Sequence, residues 1–223
     1  GGMVYGVEKL IAAGIPTIAG LHGLSTAGGA YQPGMSDYVI GVKKNGMAAL
    51  AGPALLKAAT GEIAQNEELG GSEMHSRVTG LVEYLADDDA HAIEIVRDLI
   101  NKIDWNSKIL KRESIKFQEP IYDCDEIIGV VPIDYKVPYN VRELIARIVD
   151  SSDFMDFKPQ YGVSTVCVHT KINGFACGII GNNGPIDPNG ATKSAQFIQL
   201  CDQSDTPLIF LSNTTGFMVG KQT

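Results

Sequence analysis

Twice along this chain a short apolar run ends in a loop that carries glycine. Thr17–Gly23 leads into Ser25–Tyr31, and Pro207–Ser212 leads into Asn213–Gly220. A strand that feeds a helix through such a loop is the repeating element of α/β proteins, so α/β is the expected fold class. The rest of the chain alternates in the same way. Val4, Val7, Leu10 and Ile11 follow helical spacing until Gly14 and Pro16 stop them. Thr17–Gly23 reads as a short buried strand, Tyr38–Val42 as a second and Met47–Ala51 as a third, and Pro53 opens a helix through Leu55, Leu56 and Ala59. Residues 60–77 read as irregular. A long helix is expected over 88–103, with Asp87, Asp88 and Asp89 suiting its positive end. Its apolar stripe would be Ala90, Ile93, Val96, Leu99 and Ile100. Further on, a helix is expected over 141–149 and strands over 163–172 and 175–180, joined by the hairpin turn Asn173-Gly174. Pro188–Cys201 reads as a helix.

The polar stretch 104–120 interrupts this alternation. It holds Lys108, Lys111, Arg112 and Lys116 and ends in Pro120. A basic run of this kind reads as a solvated connector. The expected organisation is therefore parts of two domains, 1–107 and 121–223, joined by a linker over 108–120. Both ends read as cut, which points to an internal piece of a longer protein. Apolar residues make up 44% of the chain, which excludes disorder, and the apolar runs are too short to span a bilayer. The net charge is −8 and the basic run reads as a solvated connector rather than a binding patch, so bulk electrostatic binding to nucleic acid or an anionic membrane is not expected.

The loop after Gly23 carries the most chemical information. Gly28 and Gly29 let a ligand approach the backbone, and a helix start behind them offers N–H groups that could hold an oxyanion. The loop lacks the phosphate-binding pattern, and Gly23–Gly28 misses the nucleophile-elbow spacing by one residue. A second candidate is Thr214–Gly220, where Phe217, Met218 and Val219 are unusually apolar for a turn. Cys124, Cys167, Cys177 and Cys201 are scattered, as are His22, His75, His91 and His169, so neither a disulfide framework nor a metal site is expected.

Seven segments occur in an order that carries a resemblance. They are Thr26–Tyr31 (T-A-G-G-A-Y), Pro33–Asp37 (P-G-M-S-D), Ala51–Pro53 (A-G-P), Lys57–Glu62 (K-A-A-T-G-E), Glu68–Gly71 (E-L-G-G), Met74–Arg77 (M-H-S-R) and Thr215–Gly220 (T-G-F-M-V-G). Together they resemble the carboxyltransferase (beta) subunit of biotin-dependent acyl-CoA carboxylases. The last segment is closer to the methylcrotonyl-CoA and geranyl-CoA branch. The resemblance implies a ClpP/crotonase-like superhelix of ββα units. Residues 1–107 would be the later half of the N-terminal, acyl-CoA-binding domain, and 121–223 the early half of the C-terminal, biotin-side domain. An S-G-G-A segment of the first and a G-A-Y segment of the second would lie outside this chain.

The implied chemistry moves a carboxyl group from carboxybiotin to the enolate of an acyl-CoA through oxyanion intermediates. Backbone donors in a dry site then matter more than acid or base side chains. By resemblance, Gly29 and Ala30 would stabilise the thioester enolate. Thr215, Gly216, Phe217 and Met218 would line the biotin side, with Gly216 and Phe217 offering N–H groups to catalysis. Gly28, Tyr31, Ala59, Thr60, Gly61, Gly70 and Gly71 would shape the acyl-CoA site. Lys193 would touch a CoA phosphate, or simply face solvent, and His75 would be a hydrogen-bonded structural residue. Biotin would arrive on a partner carrying the biotin carboxylase and carrier functions, acyl-CoA would be the substrate, and no metal is implied. The beta subunits would assemble as hexamers in a bacterial cytoplasm or a mitochondrial matrix, the former preferred. Two other readings stay open: a biotin-independent enoyl-CoA hydratase or isomerase, which would need acidic groups near the first glycine loop, and a catalytically incomplete fragment that only assembles with partners.

Overall fold

The computed structural model describes residues 2–103, 116–134, 137–212 and 218. The chain divides into two compact units, Gly1–Ile100 and Asn101–Thr223.

The first unit opens with α1 (Gly2–Ala12), followed by β1 (Ile18–Leu21) and β2 (Leu24–Thr26). A 3₁₀ turn, Ala27–Ala30, runs into the short helix α2 (Tyr31–Met35). Then come β3 (Tyr38–Val42), β4 (Met47–Ala49) and α3 (Pro53–Thr60). Strands two apart in sequence pair in parallel. β1 pairs with β3 in the register Ile18 to Tyr38, and β2 with β4 in the register Leu24 to Met47. β5 (Tyr84–Ala86) continues the first sheet beside β3, and α6 (Asp89–Lys102) follows it. Each ββα step thus adds one strand to each of two sheets and then a helical segment, as a superhelix of such units requires.

Position in the sheet explains burial. β3 lies between two neighbours and all five of its residues are buried, whereas β1 is flanked only by β3 and buries Leu21 alone. The expectation of a buried strand at 17–23 is corrected accordingly. Leu21, Val39, Ala48 and Val82 form the core here. The expected irregular segment 60–77 is also corrected, because it contains α4 (Asn66–Gly70), α5 (Ser72–Met74) and a wide turn over His75–Thr79. The Gln65 N–H donates to the Glu68 carboxylate at 3.3 Å, one arm of a capping box that the sequence carries openly. On α6 the buried residues include Ala92 and Leu99, while Ile93 and Ile100 face outward, so the expected stripe is only partly used.

The second unit contains the short helices α7 (Ile127–Val130) and α8 (Val141–Ile145). Its sheet runs in the order β6 (Phe154–Phe157), β7 (Thr165–Ile172), β8 (Phe175–Asn182) and β9 (Leu208–Leu211), with α9 (Pro188–Gln203) crossing over between the last two. β7 and β8 form the expected hairpin. Asn173 and Gly174 both take positive φ, 52° and 79°, the requirement of a type I′ turn. Asp150 holds that turn by accepting both backbone N–H groups, at 2.7 and 2.6 Å. Val141, Ile145, Val149, Val166, Val168, Cys177 and Ile179 make one core cluster. α9 buries Gly190, Lys193, Phe197, Leu200 and Cys201, a single stripe at helical spacing.

Candidate functional site

The candidate site in the first unit is built on the 3₁₀ turn Ala27–Ala30. A 3₁₀ turn bonds each N–H to the third residue before it, so the first two N–H groups, those of Ala27 and Gly28, find no acceptor within the turn. Ala27 holds a left-handed φ of 50°, and Ala30 is right-handed. A left-handed residue followed by right-handed ones gathers successive N–H groups into a concavity that suits an anion. The positive φ of this turn is at Ala27, and Gly28 and Gly29 do not share it. Neither glycine is required by packing. A Cβ on Gly28 would meet nothing within 4 Å, and one on Gly29 would meet only the Ser25 hydroxyl oxygen, at 3.4 Å. Gly28 and Gly29 are exposed, and Ser25 steadies the turn by donating to the Gly29 carbonyl at 2.9 Å.

Ala30 opens onto a cavity of about 470 Å³. Ala48, Ala49, Leu50, Ala51, Leu69, His75 and Leu81 complete its lining. The alanines keep it wide and the leucines keep it apolar. His75 is its polar member, and both ring nitrogens are occupied. Nε2–H donates to the Ala48 carbonyl at 2.7 Å, which leaves Nδ1 to accept the Thr79 hydroxyl at 2.7 Å. The structural role expected of His75 follows from these bonds. Leu50, Leu69 and Leu81 were not singled out from sequence, because they come from separate elements and no spacing links them.

The other residues expected around the acyl-CoA site act differently. Tyr31 is exposed at the start of α2. Ala59 and Thr60 end α3, and Gly61 terminates it at a φ of 78° while donating to the Lys57 carbonyl. None of the three lines the cavity. Gly70 and Gly71 are buried behind it. A Cβ on Gly70 would lie 2.3 Å from the Ala48 carbonyl oxygen, and one on Gly71 would lie 2.5 Å from the Glu67 carboxyl. Burial, followed by the neighbouring Glu73 carboxylate, raises the Glu67 pKa. Asp37, the acid nearest the glycine loop, accepts the Thr17 N–H at 2.8 Å and the Thr17 hydroxyl at 2.9 Å.

In the second unit, Thr215, Gly216 and Phe217 lie outside the described residues. Met218 is exposed, and its N–H donates to the Ile186 carbonyl at 2.8 Å, so that amide is already engaged. Lys193 corrects its expectation. It is 1% exposed, and its ammonium donates to the carbonyls of Tyr161 and Lys158 at 2.8 and 3.2 Å rather than facing solvent or a phosphate. Burial pulls its pKa down to about 8. Burial also pushes the thiols of Cys167 and Cys201 up to about 12 and that of Cys177 up to about 11, which removes them as nucleophiles. Buried His169 is pulled down to about 4. Among the described residues, the one grouping of potential metal ligands is the consecutive, exposed Asp123, Cys124 and Asp125. No helix among them is long and apolar enough to cross a membrane.

The carboxyl transferase domain model matches residues 1–223. A probable biotin-dependent acyl-coenzyme A carboxylase beta2 subunit of Mycobacterium tuberculosis is 48% identical over 222 residues, covering 99% of this chain and 42% of its own. The mitochondrial methylcrotonoyl-CoA carboxylase beta chain of Arabidopsis thaliana is 43% identical over 227 residues, covering 100% and 39%. A crystal structure of transcarboxylase 12S with methylmalonyl-coenzyme A and methylmalonic acid bound matches with a TM-score of 0.86 at 32% identity, over 99% of this chain and 44% of that one. This likeness gives the fold, which is crotonase-like. The chain spans about two fifths of the length of these curated relatives.

Proposed function

The chain belongs to the carboxyl transferase domain family, and from that premise we propose that it forms the central part of a biotin-dependent acyl-CoA carboxyltransferase subunit. Residues 1–107 take the acyl-CoA side, 121–223 take the biotin side, and 108–120 connect them. The observation that carries this reading is the turn Ala27–Ala30, which leaves open space where a Cβ on Gly28 would be and sets Ala30 on the wall of an apolar cavity.

In this reading the cavity receives the acyl group and keeps water from it. The thioester oxygen becomes an enolate oxygen when the α-carbon loses its proton, and the turn stabilises that charge through backbone N–H groups. Gly29 and Ala30 serve the enolate in this reading, Ala30 from the cavity wall and Gly29 from the residue before it, beside Ala27 and Gly28. Gly28 and Tyr31 flank the thioester, Gly70 and Gly71 set the wall behind the acyl group, and Ala59, Thr60 and Gly61 lie toward the CoA moiety. Gly216 and Phe217 provide the corresponding donors on the biotin side. Exposed Met218, with its amide held by Ile186, offers an apolar face that fits a bicyclic ring, and Thr215 completes that wall. When bound on its carrier, biotin supplies the carboxyl group and the base for the α-proton.

Partners in this reading are the subunit carrying biotin carboxylase and biotin carrier functions, and further copies of the beta subunit in a hexamer. The compartment is a bacterial cytoplasm or a mitochondrial matrix.

A hydratase needs an acid or base at the enoyl group. No carboxylate lines the cavity among the described residues, His75 has both nitrogens engaged, and Asp37 is held by Thr17. These facts favour the carboxyltransferase. The deciding experiment gives the full-length subunit an acyl-CoA and carboxybiotin and follows carboxyl exchange, with enoyl-CoA hydration run in parallel. Exchange that needs biotin supports the reading, and hydration without biotin overturns it.

A further inference from the structure

We propose that Lys193 is a positioning residue for the biotin side, clamping the start of α9 so that Ile186 presents its carbonyl to Met218. This rests on the reading that Met218 belongs to the biotin side.

The chain of contacts is short. Met218 N–H donates to the Ile186 carbonyl at 2.8 Å. The next residue, Asp187, is the N-cap of α9. Its carboxylate accepts the Gly190 N–H at 2.5 Å and the Ser164 hydroxyl at 3.2 Å, so Ile186 is fixed from its C-terminal side. The first turn of α9 is in turn pressed against the turn 158–162. A Cβ on Gly162 would lie 2.7 Å from the Gly190 nitrogen, and one on Gly190 would lie 2.4 Å from the Thr165 hydroxyl oxygen. Two backbones in such contact hold their spacing only if the turn is itself held.

That turn is conformationally costly. Lys158 and Gly162 both adopt positive φ, 49° and 53°, and a non-glycine residue there is under strain. Lys193, one turn into α9, reaches back and donates to the carbonyls at both ends of its non-glycine part, Lys158 and Tyr161. A lysine in the buried stripe of a helix costs desolvation that leucine or methionine would avoid. Its retention there is explained by the Tyr161 carbonyl, which no apolar side chain would satisfy, and by a second bond to the Lys158 carbonyl, which also accepts the Tyr161 N–H at 3.1 Å. The clamp thus runs from Lys193 through the 158–162 turn to Gly190, Asp187 and Ile186, and so to Met218.

The test uses the full-length subunit, with free biotin as carboxyl acceptor and a carboxylated acyl-CoA as donor. Lys193→Met removes the donors at similar length. The expected result is a KM for biotin at least tenfold higher, with acyl-CoA binding within twofold of the parent. Ser164→Ala removes one bond from the Asp187 cap and should raise the same KM two- to threefold, and it decides the matter if Lys193→Met does not fold. Unchanged biotin kinetics in both variants overturns the proposal. So does a parallel loss of biotin and acyl-CoA binding, which marks general structural damage. Loss of acyl-CoA binding alone places Lys193 on CoA and overturns it as well. A parent protein that transfers nothing to biotin instead defeats the functional reading beneath the proposal.

Discussion

Gly28 and Gly29 in the first unit and Gly162 and Gly190 in the second all sit beside the start of a helical segment, yet the structure uses them in opposite ways. Gly162 is buried against the backbone of Asn189 and Gly190, Gly190 is buried against the Thr165 and Asp187 side chains, and any Cβ at either would collide. Gly28 and Gly29 are exposed, lack a positive φ and have nearly empty space where a Cβ would be. The first pair is needed for the fold. Among the described residues nothing packs where a Cβ on Gly28 would be, which fits the proposal that the surface over the turn is kept bare for a ligand. At the start of α9, by contrast, the Gly190 amide goes to the Asp187 carboxylate and the Ile186 carbonyl takes the Met218 amide. A glycine beside the start of a helical segment is thus not one signal but two, separated by what surrounds the missing Cβ.

The sharpest way to break this comparison is to alter the open turn. In the full-length subunit, Gly29→Pro removes one N–H and Gly28→Val places a branched side chain over the donors. Loss of an oxyanion donor costs about 10²–10³ in rate. Gly28→Val should therefore lose at least about 100-fold in carboxyl transfer, and Gly29→Pro should do the same only if the Gly29 N–H leaves the turn to serve the enolate, while acyl-CoA binding, measured by calorimetry, stays within a few-fold. If Gly29→Pro keeps its rate while Gly28→Val loses it, the donors are Ala27 and Gly28.

Acid should act next most strongly, and on the second unit. His169 lies between the rings of Phe157 and Phe197, with centroids 6.5 and 4.8 Å away, and its pKa is pulled from 6.5 to about 4 by burial. The folded state therefore binds fewer protons than the unfolded chain between those values, so stability rises with pH across that window. Read in the other direction, about 3 kcal/mol is lost as pH falls from above 6.5 to 4. Denaturant titrations at a series of pH values should show this slope, and His169→Gln should flatten it.

Closing the packed glycine pair comes third. Gly190→Ala puts a methyl group 2.4 Å from the Thr165 hydroxyl oxygen and 3.1 Å from the Asp187 carboxylate. Overpacking of this kind costs about 1–3 kcal/mol. Urea unfolding should show a lower midpoint with little change in slope. An unchanged midpoint would mean that the start of α9 yields easily, and the contrast with the open turn would weaken.

These outcomes bear on what the sequence could show. Helical periodicity located α1, Pro53 marked the start of α3, and Asn173-Gly174 announced the β7–β8 hairpin, because each rests on local chemistry. β2, whose residues read as a loop, and β5 and β6 were missed, since strands of three and four residues leave little alternation to count. The burial of Lys193 was in fact legible. With Gly190, Phe197 and Leu200 it falls on one helical stripe, and the residue type concealed what the spacing revealed. The cavity was not legible. Its walls come from the first turn, β4 and the segment after it, α4 and the stretch from His75 to Leu81, and only the folded chain brings those together. The left-handed φ at Ala27 was hidden for a similar reason, because alanine gives no local hint of it.

The smallest expected effect is also the cleanest check on the idea that the open glycines exist for a ligand. Gly28→Ala adds one methyl group at a position with ordinary φ and no neighbour within 4 Å. On the fold it should act only through the loss of glycine's extra freedom in the unfolded chain, which stabilises by about 0.4–1 kcal/mol where the native conformation is compatible. A slightly raised midpoint in urea, together with weaker acyl-CoA turnover, would mean that the protein gives up a stabilising methyl group to keep the turn bare. A lowered midpoint would mean that some part of the protein packs on Gly28, and the glycine would then belong with Gly162 and Gly190 as a residue of the fold.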